Sequence, residues 1–444
     1  MALDTTGVGT RLRTERRLAG LSQQELAQTS GVSISTIRAL EQGRGADPTA
    51  ATARRLAAGL GVQTTRLMRA ESEHVWRPAV ESAGMWAPVI RAVAAPLPLP
   101  DTDPPEVGDV RTLVRTVLRA NRQQDYAITA AKAPAALIGT RHLIADDNPV
   151  GRALLHDLMQ CLASALVEHR QFEAADRALS AAADTAPDEV TASGVVNTRC
   201  RLLLRRGRLA EAEDLALRAA DDTEPRKLSR ASAGEIAAWG QLHLRAAAAA
   251  GRNNRPGEAS TALRIATAAA AMVGRDGPAP GDPLRRAFGP TTIARKRAED
   301  AAVSDKPDRV LSIAEAITGD TTAGHQRHRL DVAAALSALR RHPEAVDVLT
   351  EIHAAAPQWF VQQRYAGDVL RTAMKRRRTF TPQMRALAGV LQLHYSPTRH
   401  SNEPDGPSDL PQWQFRRSVG ETISDTRGDS RHDCDRPNSS HPGV

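Results

Sequence analysis

The stretch that decides the fold is Leu21–Gly43, which reads LSQQELAQTSGVSISTIRALEQG. Ser22 stands three residues before Glu25, and this spacing is the capping box that begins a helix. Gly31 then interrupts the helical pattern at a point where glycine can adopt the positive φ of a tight turn. Ser33 is a favourable N-cap for a second helix, which a glycine ends. The stretch therefore predicts two short helices joined by a tight turn.

Helical signals continue on both sides of this stretch. Thr10–Ala19 predicts a preceding helix, and Asp47 followed by Pro48 predicts the N-cap and first residue of a fourth. A short fifth helix is predicted over Thr64–Ala70, so that residues 7–71 form a five-helix unit. The predicted core of this unit is Leu12, Leu18, Leu21, Leu26, Ala27, Val32, Ile37, Leu40, Leu56 and Leu60.

The side chains left outside this core are candidates for DNA recognition. A helix anchored by Ile37 and Leu40 presents its N-terminal residues to a major groove. The outward positions are Ser33, Ser35, Thr36, Arg38, Ala39 and Glu41. Arg38 can reach either a guanine or a phosphate, and both contacts remain open.

Residues 7–70 resemble the helix-turn-helix of the XRE family of transcription regulators, which includes Cro and the phage repressors. The positions in register are Gln23, Glu25, Leu26, Ala27, Gly31, Val32, Ser33, Ile37, Leu40, Glu41 and Gly43. The resemblance implies an all-α, lambda-repressor-like DNA-binding fold. It also implies that Gln23 contacts phosphate, that Arg44 lies near the DNA backbone, and that Ile34 begins the base-reading positions.

The resemblance gives this chain a set of predicted DNA contacts. They are Gln23, Ser33, Ile34, Ser35, Thr36, Arg38, Ala39 and Arg44. Lambdoid phage repressors carry glutamines at some of these positions, whereas Ile34 can only touch an apolar group such as a thymine methyl. The operator of this chain therefore differs from theirs.

The basic charge is concentrated near this motif. The net charge is +8, and all but five of the 59 basic residues are arginine. Residues 1–72 hold ten arginines against six acids, half of the net charge, and four of these arginines cluster on the first predicted helix. They are Arg11, Arg13, Arg16 and Arg17. The arginines indicate phosphate contacts or a GC-rich coding bias, and Glu15, Glu25 and Glu41 could instead pair with them in a bundle that does not touch DNA.

A second pattern fills residues 107–395, where helical stretches restart at an acid followed by a small residue. The restarts are at Phe172, Leu209, Pro256, Pro307 and His342, and the equivalent small residues are Ala175, Ala212, Ala259, Val310 and Ala345. The spacings of 37, 47, 51 and 35 residues resemble tetratricopeptide repeats, with insertions around 252–256 and 277–282. The resemblance implies an α-solenoid of helix pairs with an inner groove. An irregular helical bundle is the alternative.

Polar residues on the predicted first helices are candidates for the groove. They are Asn197, Arg201, Gln241, Arg245, Arg295, Arg329 and Gln363. For each of them, an ordinary solvated helix face is the alternative. The basic run KRRR at 375–378 could bind phosphate or an acidic peptide, or could be a surface patch.

The two remaining segments differ in composition from the helical ones. Residues 72–106 are rich in proline and predict a linker, with Trp76 and Trp86 able to dock its first half onto a neighbour. Residues 396–444 are rich in polar residues and predict a disordered tail.

Composition excludes several classes of protein. Aromatic residues make up 3% of the chain, which disfavours β-rich folds and leaves cores of Leu, Val, Ile and Ala. The three cysteines are far apart, and neither a signal peptide nor a membrane span is evident, so we expect a cytoplasmic protein. No catalytic or metal-binding motif is present, and we predict neither an enzyme nor a cofactor.

Together these features predict a DNA-binding transcriptional regulator that acts as a homodimer on a double-stranded operator. The resemblance to regulators of actinobacterial type, in which tetratricopeptide domains bind short signalling peptides in some members, implies a peptide or protein partner for the repeat groove. Two alternatives stay open. The array could only oligomerise or recruit a protein without sensing a ligand, or the small helical unit could bind protein rather than DNA.

Overall fold

Seven segments of the chain are described by the computed structural model. They are residues 7–44, 48–68, 80–94, 105–278, 282–317, 323–374 and 379–393. These segments contain 21 α-helices, one 3₁₀ turn and a single pair of two-residue strands, which confirms the all-α prediction. Several predicted features lie outside the described residues: the 375–378 run, the disordered tail at 396–444, Asp47 and Trp76.

The first five helices form a small unit that we call the head, residues 8–67. Its helices are α1 (Val8–Leu18), α2 (Gln23–Ser30), α3 (Ile34–Glu41), α4 (Ala50–Gly59) and α5 (Thr64–Leu67). All five were predicted, and their bounds differ from the predicted ones by only a few residues.

The predicted start and turn signals of α2 and α3 are present. Ser22 accepts a hydrogen bond from the backbone N–H of Glu25 while the Glu25 carboxylate accepts from the N–H of Ser22, so the capping box is complete. Gly31 has φ of 64°, and Ser33 caps α3 by accepting from the N–H of Thr36 at 3.2 Å. The start of α4 was predicted wrongly. Its N-cap is Thr49, and the helix begins after Pro48 rather than at it.

The core of the head agrees with the predicted set except at one position. Leu12, Leu26, Val32, Ile37, Leu56 and Leu60 are buried, and Leu21, Ala27 and Leu40 pack against them. Leu18 is 72% exposed. It lies six residues after Leu12 on α1, which turns it about 120° away from Leu12 around the helix axis. The core also includes Val8, Ala53, Ala57 and Leu67.

Close contact between α1 and α3 depends on Gly9. A Cβ atom at this position would lie 1.9 Å from the carbonyl oxygen of Leu40. We expect Gly9→Ala to lower the stability of the head by about 1–3 kcal/mol, because backbone rather than a flexible side chain must move. Gly108, in the later helix α7 (Val107–Arg122), is a matched control because a Cβ there meets nothing within 4 Å. Hydrogen exchange of α1 and α3 amides in the full chain measures the effect, and equal protection in the two variants would contradict it.

The remaining helices form what we call the array, residues 80–390. Its helices are α6 (Val80–Ala94), α7 (Val107–Arg122), α8 (Tyr126–Ala145), α9 (Pro149–Glu168), α10 (Phe172–Asp184), α11 (Glu189–Arg205), α12 (Leu209–Asp222), α13 (Ala233–Arg252), α14 (Pro256–Val273), α15 (Pro290–Val303), α16 (Pro307–Glu315), α17 (Ala323–Ala338), α18 (His342–Ala355), α19 (Pro357–Phe360), α20 (Arg364–Met374) and α21 (Pro382–Val390).

Every predicted restart begins a helix. These helices are α10, α12, α14, α16 and α18, and each packs on the helix before it. The equivalent small residues are all buried: Ala175, Ala212, Ala259, Val310 and Ala345. A small side chain at this point lets the two helices of a pair approach closely. The helix pairs predicted from the sequence are therefore present.

The two predicted insertions have different outcomes. Beside the insertion predicted at 277–282, the strands β1 (Gly277–Pro278) and β2 (Ala287–Phe288) pair in antiparallel register. The insertion predicted around 252–256 is a three-residue turn between α13 and α14. The extra length lies earlier, between α12 and α13, where a 3₁₀ turn spans Leu228–Arg230.

Part of the segment predicted as a linker is helical. The helix α6 contains Pro88 and carries Trp86, which is fully buried in the array core together with Val89 and Ala92. The Trp86 ring lies 4.9 Å from the ring of His169 at the end of α9. Docking of Trp86 onto a neighbouring element, which the sequence had suggested, is therefore observed. Among the described helices, none has the length and apolar composition needed to cross a bilayer.

Candidate nucleic-acid interface

The helix α3 presents the predicted base-reading side chains at the surface of the head. Ser35, Thr36 and Arg38 are exposed, whereas Ile34 and Ala39 are half-buried. Ile37, on the opposite side, is fully buried against the head core. Because its inner side is fixed in this way, α3 holds its outer side chains in a constant orientation.

A local network of hydroxyl groups covers the N-terminus of α3. The Ser33 hydroxyl lies 2.9 Å from that of Ser35 and 2.8 Å from that of Thr36. Ser33 also accepts the backbone hydrogen bond that caps the helix, so its oxygen is committed to the fold. The hydroxyls of Ser35 and Thr36 can turn toward a partner without breaking a backbone hydrogen bond. We therefore expect Ser33 to position the helix and the other two to reach DNA.

Glu41 joins three helices beneath this surface. Its carboxylate is buried and accepts hydrogen bonds from Arg16 Nε at 2.7 Å and from Gln23 Nε2 at 2.8 Å. Arg13 Nε lies 3.7 Å away. Burial alone would raise the pKa of Glu41, but these hydrogen bonds and the charges of Arg16 and Arg13 hold it below its ordinary value. Glu41 is therefore ionised and fixes α1, α2 and α3 relative to one another.

The contacts of this cluster show which arginines are bound to other groups of the head. Arg16 gives Nε and Nη2 to Glu41 and Nη1 to the carbonyl of Leu21, which leaves it little capacity for phosphate. Gln23 keeps one amide N–H for the phosphate contact predicted for it. Within the described segments, Arg17, Arg38 and Arg44 are exposed and form no ion pair. The alternative that acids neutralise the arginines therefore applies to Arg13 and Arg16, which face Glu41, and to Arg66, which pairs with Glu15, but not to these three.

Comparison with known proteins gives a match for the head alone. Residues 12–67 match the family model described as helix-turn-helix, HTH_3. No curated protein and no solved structure matches the chain. The head is therefore similar to the helix-turn-helix units of this family, and the match does not extend to the array.

The array encloses a cavity of about 1970 Å³. Most of its lining comes from α9, α11, α13, α15, α17 and α20, and α4 of the head contributes as well. Six of the seven predicted groove residues line it: Asn197, Arg201, Gln241, Arg245, Arg295 and Gln363. Arg329 does not line the cavity, because it pairs with Glu351 on the neighbouring helix α18. A solvated helix face, the alternative for these residues, therefore describes only Arg329.

The cavity lining repeats from helix to helix. Ser164 and Glu168 on α9, Asn197 and Arg201 on α11, and Gln241 and Arg245 on α13 are three pairs of polar residues spaced four apart. This spacing places both members on one face of a helix. The pairs also connect to one another. Arg201 Nη2 donates to the Ser164 hydroxyl at 2.7 Å, and Asn197 Nδ2 donates to Gln241 Oε1 at 2.6 Å.

Two carboxylates in the lining, each held by two cations, were not identified from the sequence. Glu168 pairs with Arg205 at 2.5 Å and with Arg201 at 3.3 Å, and these charges lower its pKa to about 2 although burial acts in the opposite direction. Glu299 is shared in the same way by Arg252 and Lys296. The signal that could have revealed Glu168 is its position four residues after Ser164, at the end of an apolar helix.

The head contacts the array beside this cavity. Thr65 donates from its backbone N–H and its hydroxyl to Asn253 Oδ1, at 3.2 Å and 3.0 Å. Asn254 Nδ2 donates to the carbonyl of Val62 at 2.9 Å. Arg54 Nη1 on α4 donates to the carbonyl of Val303 at 2.8 Å, and Arg54 also lines the cavity. The DNA-binding head thus forms part of the cavity wall.

Proposed function

We propose that this chain is a one-component transcriptional regulator, in which the head binds an operator and the array senses a ligand. The observation that carries the proposal is the exposed outer face of α3, with Ser35, Thr36 and Arg38 on a helix whose inner side is fixed by Ile37. Such a helix matches the width of a B-DNA major groove. The matching of residues 12–67 to the helix-turn-helix family supports the same conclusion.

Each predicted contact has a proposed role at the operator. Ser35, Thr36 and Arg38 read base edges or phosphates, and Ile34 and Ala39 contact thymine methyl groups. Gln23 and Arg44 bind the backbone on either side of α3. We propose that two chains bind a roughly two-fold symmetric site with half-sites about one helical turn apart, because single recognition helices of this size read few base pairs.

The array is proposed to act as the sensor of this cytoplasmic regulator. Its helix pairs resemble tetratricopeptide repeats, and its cavity is large enough for a peptide. These features support ligand binding over an array that only oligomerises or recruits a partner. We propose a DNA-binding domain at 7–71, a connecting segment at 72–106 whose helix α6 packs on the array, a helical-repeat region at 107–395 and a tail at 396–444.

The experiment that tests the proposal combines operator selection with a salt titration. Full-length protein is used to select a binding site from a random duplex library, and its affinity is then measured between 50 and 200 mM salt. If six to ten phosphates are contacted, we expect affinity to fall by about 10³- to 10⁵-fold over this range, because bound cations are released from DNA. Stoichiometry should give two chains per duplex. A failure to enrich any sequence, or an affinity that does not change with salt, would contradict DNA binding.

A further inference from the structure

The cavity of the array carries far more positive than negative charge. Sixteen of its lining residues are arginine or lysine and five are aspartate or glutamate. Glu168 and Glu299 are each shared by two cations, so each neutralises only one of the two charges that it contacts. Like charges gathered in a partly enclosed space repel one another. An anionic ligand would therefore be attracted to this cavity and would relieve the repulsion.

Arg245 is a cation of this lining without a paired carboxylate among the described residues. Arg201 and Arg286 are near enough to repel its charge, and its Nε donates to the amide oxygen of Asn197. In the described part of the chain no carboxylate forms an ion pair with it. Burial and these two neighbouring arginines lower the pKa of Arg245 to about 10, which still leaves it charged at neutral pH. The guanidinium fork of Arg245 is therefore available to a carboxylate of a ligand.

Side-chain amides line the same cavity. They are Asn121, Gln124, Gln171, Asn197, Gln241, Gln362 and Gln363. Gln241 is 8% exposed, yet its Nε2 has no hydrogen-bond partner, and the same holds for Oε1 of Gln362. Amides donate and accept side by side, as does the main chain of an extended peptide. This set of groups therefore favours a peptide over a compound whose only polar groups are phosphates.

We infer that the cavity binds a short acidic peptide, with a carboxylate on Arg245 and main-chain groups on Gln241 and Gln362. This inference rests on the proposed role of the array as a sensor and names the class of its ligand. Pro48–Ala51 and Arg54 of the head line the same cavity, so the proposed ligand site and the head share one wall.

The inference is tested with labelled hexaglutamate and hexaglutamine and with inorganic tripolyphosphate, added to the full-length protein. We expect hexaglutamate to bind about tenfold or more tightly than hexaglutamine, and Arg245→Met to remove this preference, because an arginine–carboxylate contact is lost. Arg218→Met is the matched control, since Arg218 lies on the exposed face of α12 and pairs with Asp214. It should leave hexaglutamate binding unchanged.

If Arg245→Met does not fold, a second variant tests the same inference. Gln241→Glu preserves the acceptor for Asn197 and places a carboxylate beside Arg245, so it should fold and still weaken hexaglutamate binding about tenfold. Equal binding of hexaglutamate and hexaglutamine, equal binding by wild type and Gln241→Glu, or binding of tripolyphosphate alone would each overturn the acidic-peptide assignment. DNA binding is measured separately. If the ligand-free protein binds no operator while hexaglutamate binding is intact, the result counts against the regulator function and not against the ligand class.

Discussion

Replacing Ser35, Thr36 and Arg38 together with alanine should reduce the affinity for the selected operator to that for random DNA. Specific sites are typically bound at least about 10³-fold more tightly than non-specific DNA, so we expect a loss of that order. The three side chains are exposed and none belongs to the head core, so the fold should be retained. Fluorescence anisotropy with operator and scrambled duplexes measures the change, and an unchanged operator affinity would show that α3 is not the recognition helix.

A matched triple variant separates this effect from a general loss of positive charge. Arg111, Thr112 and Arg115 are exposed on α7 of the array, and their replacement by alanine removes two positive charges without touching the head. We expect the preference for operator over scrambled DNA to remain. The single variant Arg38→Ala then distinguishes the two open contacts of Arg38. A guanine contact predicts relaxed specificity at one base pair, whereas a phosphate contact predicts uniform weakening and a salt slope smaller by about one.

The local structure of the head could be predicted from the sequence because its signals act over three or four residues. The capping box of Ser22 and Glu25, the positive φ at Gly31 and the N-cap Ser33 are each a side chain or backbone unit acting on its own neighbourhood. Asp47 and Thr49 are both good N-caps two residues apart, and the sequence alone does not decide between them. The prediction that Leu18 belongs to the core was wrong for another reason. Apolar character alone does not say which face of α1 packs against the core.

The ion pairs between residues far apart in the sequence could not be predicted in the same way. Arg205 and Glu168 are 37 residues apart, and Arg252 and Glu299 are 47 apart. Their pairing depends on how neighbouring helix pairs stack, which no local pattern encodes. The polar faces of the helices that line the cavity could nevertheless be predicted from the sequence. Asn197 and Arg201 are an example, because a four-residue spacing places both on the same face once the helix is known.

The array also shows why the helix α6 was not predicted within the proline-rich segment. Pro88 lies inside α6, where it removes a helical hydrogen bond. The burial of Trp86 and Val89 against the array core offsets this cost. A tertiary contact of this kind outweighs the local preference of a proline, and sequence composition gives only the local preference.

Replacing Glu41 with alanine should lower the free energy of unfolding of the head by about 3–5 kcal/mol. Removing one partner of a buried ion pair leaves the others, here Arg16 and Gln23, without an acceptor in a poorly solvated place. Native-state hydrogen exchange of the α1–α3 amides in the full chain measures the change. Glu351→Ala is the control, because the Glu351–Arg329 pair is half-exposed and such pairs contribute about 0–1 kcal/mol.

The same contacts predict how the head responds to acid. The pKa of Glu41 lies below its ordinary value of 4.5 in the folded protein, so the unfolded chain takes up a proton first as pH falls. The stabilisation is therefore complete above that value and is lost as pH drops through the folded pKa. In Glu41→Gln, which cannot titrate but still accepts hydrogen bonds, protection of the α1–α3 amides should depend less on pH in this range than in the wild type. If the two proteins lose protection in parallel on acidification, Glu41 does not hold the three helices together through its charge. The orientation of α3 would then rest on the packing of Ile37 and its apolar neighbours alone.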